Sequence, residues 1–227
     1  MKVFFAVVCL SVGGAGIAVE PVKEAPAISI PMASTNFIAK DYSHLVGMKG
    51  FSRELLQLHF SLYQGYVKNL NVLSGQIESF QKDILNRSYE FGALKRRWAW
   101  EYDGMRLHEL YFDNLGGSGA MALDPSLQKA IEEHFVSLDA WKADFIATGM
   151  MRGIGWVILY KDQASGRLFN VWINEHDTGH FIGNIPLLVM DVFEHAYITE
   201  YGLEKERYIN AFFANINWKV VSDRWLK

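Results

Sequence analysis

The amino-acid sequence predicts an α+β protein, in which a helical N-terminal half precedes a half that contains a small antiparallel sheet. Helices are expected from about residue 52 to 115, where proline is absent, glycine is sparse and apolar residues recur at spacings of three and four. Strands are expected between residues 155 and 192, where three short runs of β-forming and apolar residues alternate with turn-forming segments.

Two helical segments fill the N-terminal half. Ser52 is a suitable N-cap for the first, SRELLQLHFSLYQGYVKNLNVLSGQIESFQKDI, and Leu55 begins its periodic apolar face. The second, FGALKRRWAWEYDGMRLHELYFDNL, stops at GGSG, a sequence that ends helices and is typical of a hinge. Because no proline interrupts either segment, each is expected to form a long helix.

The C-terminal half is expected to begin with two shorter helices and to continue into the sheet. Asp124 followed by Pro125 is the pattern of an N-cap and a first helical residue, and Ser137 is suited to cap the next helix. GWVILYKD and RLFNVWIN, separated by QASG, predict a β-hairpin, and IPLLVMDV is the third candidate strand. The tail KERYINAFFANINWKVVSDRW returns to helical spacing.

The N-terminus has the composition of a secretory signal. MKVFFAVVCLSVGGAGIAVE has one lysine, an apolar stretch and small residues before a suitable cleavage point after Ala18. An uncleaved membrane anchor is the alternative, although the apolar run is short for a membrane span. The expected organisation of this secreted or periplasmic protein is a signal peptide (1–18), a linker (19–40), an N-terminal helical hairpin domain (41–115), a hinge (116–124) and a C-terminal α/β domain (125–227).

Charge and cysteine content argue against a nucleic-acid partner and against thiol chemistry. Lys and Arg number 22 against 25 Asp and Glu, and no block of like charge stands out, so no nucleic-acid partner is expected. Cys9 is the only cysteine, and it lies within the predicted signal peptide. After cleavage the protein would have neither a disulfide nor a thiolate ligand. Without the apolar segment it is also expected to have no membrane partner. Any metal ion must then be held by His, Asp and Glu.

The histidines are therefore the first candidates for a site. His59 and His108 lie on the two long helices beside apolar residues, where a lone histidine is more often a hydrogen-bonded core residue than a ligand. His134 follows two glutamates and is expected in solvent. His176 and His180 flank a loop glycine, which is typical of a polar loop, with a second metal site as the alternative.

The stretch DVFEHAY is a stronger candidate. Asp191 ends a predicted buried strand, where an ionised carboxylate needs a partner or a metal. His195 follows four residues later, a spacing that fits either a simple ion pair or two ligands on one face. Together with His59 and His108 these residues would make a set of three nitrogens and one oxygen, which suits iron, manganese or zinc.

DVFEHAY, preceded by IPLLVM, resembles the signature of the iron/manganese superoxide dismutases. GIGWVILY, LHELYFDNL, LHFSLYQGYVKNLN and NINWKVVSDRW resemble further motifs of that family, in the same order, over about residues 41–225. The resemblance implies an α+β fold with an N-terminal helical hairpin followed by a C-terminal α/β domain with a three-stranded antiparallel sheet. This fold agrees with the order of elements predicted above.

The resemblance also implies a site. Its metal ligands would be His59, His108, Asp191 and His195, which would hold one iron or manganese ion with a solvent molecule as fifth ligand. Superoxide would be the substrate, converted to dioxygen and hydrogen peroxide. Tyr66 matches the family tyrosine at the mouth of the site, which takes part in proton delivery and is therefore a candidate catalytic residue.

A homodimer is implied as well. Glu194 matches the residue that bonds a ligand histidine of the other subunit, and Tyr197 matches another residue of the same interface. The dimer is thus expected to form through Glu194, His195 and Tyr197.

The first helix departs from the family pattern by one residue. The family has eight steps between the ligand histidine and the tyrosine, whereas His59 and Tyr66 are seven apart. Seven residues nearly complete two turns of regular α-helix, so both side chains can share a face. We therefore place a gap here, since an ungapped alignment would put Leu58 at the ligand position.

A second departure concerns the glutamine that holds the metal-bound solvent in this family. One branch supplies it four residues before the second histidine ligand, where this chain has Gly104. The resemblance implies that the other branch supplies it just before G-x-G-W, where this chain has Arg152. Arg152 is therefore a candidate catalytic residue that donates to the bound solvent, or else a structural residue that points away. Phe193 replaces a signature tryptophan and keeps an apolar wall.

These observations leave a leading function and two alternatives. The leading one is an exported superoxide dismutase that uses iron or manganese. The first alternative is a family relative with little activity that acts as a metal-binding or interaction protein. The second is a zinc hydrolase, which has the ligand set but no evident general base.

Overall fold

The computed structural model describes residues 36–80 and 87–227. The predicted signal peptide and residues 19–35 of the predicted linker lie outside this part of the chain. No helix within the described ranges combines the length and the apolar character that crossing a membrane requires.

The N-terminal half is a hairpin of two long helices, α1 (Arg53–Ser79) and α2 (Ser88–Asp113), which pack along each other. The Ser52 hydroxyl accepts a hydrogen bond from the Leu55 N–H at 3.1 Å, which confirms the predicted N-cap. α1 is regular α-helix throughout its 27 residues, so the one-residue gap is accommodated without a bulge.

The C-terminal half begins with α3 (Pro125–Phe135) and α4 (Leu138–Met150), capped as predicted by Asp124 and Ser137. The sheet follows, built from β1 (Trp156–Asp162), β2 (Leu168–Ile173) and β3 (Asn184–Asp191). Its order is β2-β1-β3, and both pairs are antiparallel. The predicted fold class is therefore confirmed.

The tail is helical but not continuous. It consists of the short α5 (Ile198–Tyr201), α6 (Lys205–Ala214) and α7 (Trp218–Trp225). The break falls at Asn215, whose side-chain amide donates to the Ala211 carbonyl and also to the Lys49 carbonyl, each at 2.8 Å. This side chain ends α6 and ties it to the segment that precedes α1.

The predicted hinge packs tightly against this tail. The Gly117 N–H donates to the Asn215 carbonyl at 2.9 Å, and a Cβ at Gly117 would lie 2.3 Å from the Ile216 oxygen. Glycine is required here because two backbones approach each other closely.

A buried arginine joins the two halves near the site. Arg224 on α7 donates to the carbonyls of Leu187 on β3 and Leu110 on α2, each at 2.9 Å, and to the Asn114 side chain at 3.2 Å. Asn114 in turn bonds both backbone groups of Val189 on β3, at 3.0 and 3.1 Å. These bonds fix the end of α2 relative to β3, and both elements carry candidate ligands.

Candidate metal centre

Four side chains from separate elements converge where the helical hairpin meets the sheet. His59 projects from α1, His108 from α2 and Asp191 from the last position of β3, while His195 lies in a one-turn 3-10 helix, Glu194–Ala196. One nitrogen or oxygen from each lies within 4.8 Å of the others. The structure thus brings together all four residues predicted as ligands.

Asp191 is the centre of this cluster. Its Oδ2 lies 3.2 Å from Nε2 of His59, 3.0 Å from Nε2 of His195 and 3.7 Å from Nε2 of His108. Its other oxygen, Oδ1, accepts the backbone N–H of Phe193 at 2.8 Å. This second bond fixes the carboxylate plane, so that one oxygen faces the three imidazoles.

The protonation of His108 supports a metal interpretation. Its Nδ1 lies 2.6 Å from the Gly104 carbonyl, which can only accept, so Nδ1 carries the hydrogen. Nε2 of the neutral ring then presents a lone pair to the cluster, and it is buried without any hydrogen-bond partner among the described residues. An orphaned acceptor beside two further imidazoles and a carboxylate is what an absent cation leaves behind.

The electrostatics of the cluster also fit a cation. Burial lowers the pKa of His59 and lowers the pKa of His108 well below its usual value, so both rings are neutral at pH 7. Burial raises the pKa of Asp191, but its contacts with His195 and His59 outweigh this effect and hold the pKa far below its usual range. Neutral imidazoles and an ionised carboxylate are the protonation states that metal binding requires. The cluster fits one iron or manganese ion.

Tyr66 lies beside this cluster and is paired with His176. Nε2 of His176 lies 2.8 Å from the Tyr66 hydroxyl oxygen, and Nδ1 of His176 accepts from the Trp156 indole N–H at 3.1 Å. An indole can only donate, so Nδ1 is the bare nitrogen and Nε2 carries the hydrogen. His176 therefore donates to Tyr66, whose own hydroxyl hydrogen is free to point elsewhere.

His176 corrects the expectation of a polar loop. Its side chain is fully buried, and its ring lies 6.1 Å from that of His108 and 4.8 Å from that of Phe193, measured between centroids. Burial lowers its pKa to about 4, so it is neutral at pH 7. It follows an irregular segment after β2, where no periodicity marked it as buried.

Gly104 explains how His176 fits. A Cβ at this position would lie 2.8 Å from two ring carbons of Tyr66 and 3.2 Å from Cδ2 of His176. The space above Gly104 is therefore filled by the Tyr66–His176 pair. In the sequence, the sign of this arrangement is a glycine inside a predicted helix, at a position where the resemblance implies glutamine in one family branch. The missing side chain leaves space for another residue.

Arg152 does not join the pair. It lies exposed in the segment between α4 and β1, and it makes neither a hydrogen bond nor an ion pair within the described residues. Its exposure favours the alternative that Arg152 points away from the site, and His176 is the side chain that contacts the Tyr66 hydroxyl. Phe193 does form the predicted wall, with its ring stacked on His195 at a centroid distance of 5.3 Å.

The other histidines lie apart from the cluster. His134 is exposed, as predicted. His180 contacts the Tyr160 hydroxyl through Nδ1 at 2.8 Å and the His176 carbonyl through Nε2 at 2.6 Å. Within residues 36–80 and 87–227, no second group of three or more ligand residues is found, so the suggestion of a further metal site at His176 and His180 gains no support.

The residues predicted at a dimer interface differ in exposure. Glu194 is exposed, and the side chain of His195 is 29% exposed, although it belongs to the ligand cluster. Tyr197 is largely buried within the chain, where its ring stacks on Tyr208 at 5.5 Å. Glu194 and His195 are thus the members of this trio that remain accessible.

Fold and site together define a class of protein: a metalloprotein with one three-histidine, one-aspartate centre at the junction of a helical hairpin and a three-stranded sheet. The family model described as iron/manganese superoxide dismutases, C-terminal domain, matches residues 123–224. An iron superoxide dismutase of Aquifex pyrophilus is 37% identical over 193 residues, which cover 83% of this chain and 90% of the relative. The chain belongs to the iron/manganese superoxide dismutase family.

Relatives named for either metal are similar to this chain. An iron superoxide dismutase of Cupriavidus metallidurans is 36% identical over 183 residues, which cover 78% of this chain and 90% of the relative. A manganese superoxide dismutase of Haloferax volcanii is 32% identical over 167 residues, which cover 74% and 82%. The names of the relatives therefore leave both metals open.

Proposed function

We propose that this protein is an active superoxide dismutase, exported and homodimeric, with one iron or manganese ion per chain. The observation that carries the proposal is the four-residue cluster together with the neighbouring Tyr66–His176 pair. The overall reaction takes two superoxide anions and two protons and yields one dioxygen and one hydrogen peroxide. Iron or manganese held by the cluster would supply the one-electron redox chemistry that this reaction needs.

The residues of the chain provide the setting for this chemistry. His59, His108, Asp191 and His195 would hold the ion, and the single negative charge of Asp191 offsets part of its charge. The rings of Phe193 and Trp156 pack on those of His195 and His108, at centroid distances of 5.3 and 5.1 Å. Electrostatic interactions are stronger in such buried surroundings than in water. An ion that stays divalent, such as zinc, would not support these redox steps.

Proton supply is assigned to Tyr66 and His176. Because the His176 N–H is directed at the Tyr66 oxygen, it stabilises negative charge on that oxygen when the tyrosine gives up its proton. Burial raises the pKa of Tyr66, so at rest the hydroxyl keeps its proton available for the peroxide product. The two side chains thus form a donor pair beside the ligand His108.

The activity is tested by expressing residues 19–227, measuring bound metals, and assaying superoxide removal after reconstitution with iron and with manganese. About one ion per chain and turnover in at least one metal form are expected, with Asp191→Ala as the variant that loses the ion. Bound metal with negligible turnover in both forms would instead indicate the weakly active, metal-binding relative.

The homodimer is supported by the surface around His195. Leu58 and Ile198, on α1 and α5, are 56% and 41% exposed, close in sequence to the ligands His59 and His195. A second copy packed on this face would bury these apolar side chains and shield the partly exposed ligand. Sedimentation analysis should find a dimer that Leu58→Glu dissociates. Ile182→Glu, at a fully exposed position, is the control that should leave it intact.

Export is supported by the N-terminal sequence alone. Expression of the full chain in a secreting host, followed by mass spectrometry of the exported protein, should find a mature chain that begins at Val19. Recovery of the intact chain in the membrane fraction would support the anchor instead.

A further inference from the structure

Trp100 closes the solvent side of the Tyr66–His176 pair. This residue lies on α2 and is half-buried, and its ring is 4.6 Å from that of His176 and 5.4 Å from that of Tyr66. The rings of Tyr66 and His176 are 5.0 Å apart. The three rings therefore form a compact triangle in which Trp100 is the outer member.

Two charged residues hold Trp100 in this place. Its indole N–H donates to Oε2 of Glu175 at 3.1 Å, and the Arg97 guanidinium lies over its ring at 4.0 Å from the centroid. Glu175 is the residue directly before His176. Trp100 thus contacts two consecutive residues, Glu175 through its indole N–H and His176 through its ring.

Arg97 is itself anchored. Its guanidinium lies 2.6 Å from Oε1 of Glu101, whose side chain is only 2% exposed. Asn69 on α1, one turn beyond Tyr66, donates to the same oxygen at 3.3 Å. The helices that carry Tyr66 and Trp100 are therefore cross-linked at the level of the ring triangle, which limits movement of the tryptophan.

His176 needs such support because of where it lies in the chain. Its segment between β2 and β3 is irregular, so no strand or helix fixes its backbone. Its ring nitrogens bond only Trp156 and Tyr66 within the described residues. A ring held by two bonds in an irregular segment can rotate or admit water unless its open side is covered.

We propose that Trp100, clamped by Glu175 and Arg97, is a positioning residue that keeps the His176 N–H directed at the Tyr66 oxygen. The role of the Tyr66–His176 pair in proton supply rests on the proposed function. The contacts that hold Trp100 do not, because they are present in the metal-free chain. Its consequence for the reaction is that proton supply depends on a residue that contacts neither the ligands nor the substrate.

The test is the exchange rate of the Trp156 indole N–H with solvent, measured by NMR on the metal-free protein with ¹⁵N-labelled tryptophan. That hydrogen is donated to His176, so its exchange reports how often His176 moves away. Trp100→Phe keeps an aromatic ring but loses the bond to Glu175, and exchange is expected to rise about tenfold. Glu175→Ala should give a similar rise, whereas Glu175→Gln keeps an acceptor and should stay near wild type.

Trp98→Phe is the matched control. Trp98 lies on the same helix and donates its indole N–H to the Ser74 hydroxyl at 2.9 Å, but it packs on Tyr102 rather than on His176. Its replacement should leave the Trp156 exchange rate unchanged. Combining Trp100→Phe with Glu175→Ala should add little to either change alone, because both break the same bond.

Equal exchange rates in Trp100→Phe and Trp98→Phe would overturn the proposal, as would full additivity of the Trp100 and Glu175 changes. The result does not depend on turnover, so a protein without dismutase activity would still decide it. In an active protein, Trp100→Phe should lower the metal-normalised rate at high pH, where protons limit the reaction, more than Trp98→Phe does.

Discussion

Gly104 lacks a Cβ, and the Tyr66–His176 pair packs in the space that a Cβ would occupy. In most helix interiors, replacing glycine by alanine stabilises the protein by about 1 kcal/mol. At Gly104 the added methyl would press on Tyr66 and His176, both buried. Replacing Gly104 by alanine should therefore destabilise the protein.

We predict that Gly104→Ala destabilises the metal-free protein by about 1–3 kcal/mol, because the two rings cannot shift without losing packing. Urea unfolding measures this free energy. Gly75→Ala is the control, because a Cβ at Gly75 meets nothing within 4 Å and should stabilise α1 by up to about 1 kcal/mol. If both alanine variants were stabilised equally, the packing described above Gly104 would be incorrect.

At the scale of elements, the helices and strands were largely predictable because their signals are local. The caps at Ser52, Asp124 and Ser137 depend on side chains within three residues of the bonds that they make. The three strands follow from apolar runs between turn residues. The break between α6 and α7 was missed, since it depends on an Asn215 contact with a residue that lies 166 positions away.

The ligand set was predictable for a different reason. Spacing alone left His59 and His108 as plausible core residues, and only the family motifs joined them to Asp191 and His195. His176 was missed because no local pattern marks a loop residue as buried. Its burial results from contacts with Tyr66, Trp100 and Trp156, which come from three other elements.

Arg224 provides a prediction about how these elements are joined. Arg224→Met should lower the free energy of unfolding by about 2–4 kcal/mol, because the Leu187 and Leu110 carbonyls and the Asn114 side-chain oxygen each lose a charged donor. The Leu110 carbonyl and the Asn114 oxygen keep one backbone N–H each, from Asn114 and Val189. Chemical denaturation gives the value. Arg152→Met, at an exposed and unpaired position, should change stability by no more than about 0.5 kcal/mol. Similar losses in both variants would argue against Arg224 as the cross-link.

At the scale of the whole molecule, buried neutral histidines should make the metal-free protein sensitive to acid. Burial lowers the pKa of His176 from 6.5 to about 4 and also lowers those of His59 and His108. Between pH 6.5 and about 4, His176 therefore binds more protons in the unfolded chain than in the folded one. The free energy of unfolding must therefore fall as the pH falls through this window.

We expect His176 alone to contribute a loss of up to roughly 3 kcal/mol across that window. His176→Gln keeps an N–H donor for Tyr66 but does not titrate, so its stability should depend less steeply on pH. Thermal unfolding of the metal-free proteins between pH 4 and 7 measures the difference. Parallel curves for the wild type and the variant would show that His176 is not held neutral by burial.

The central claim is that the four-ligand centre works with His176, and not with Arg152, as the residue beside it. The most direct measurement is the rate of superoxide removal per bound metal ion, by pulse radiolysis, in wild type, His176→Ala and Arg152→Gln. The structure predicts that His176→Ala loses about ten- to a hundredfold, the range typical of residues that orient a metal site, and that Arg152→Gln retains the wild-type rate. A loss in Arg152→Gln with none in His176→Ala would contradict the account.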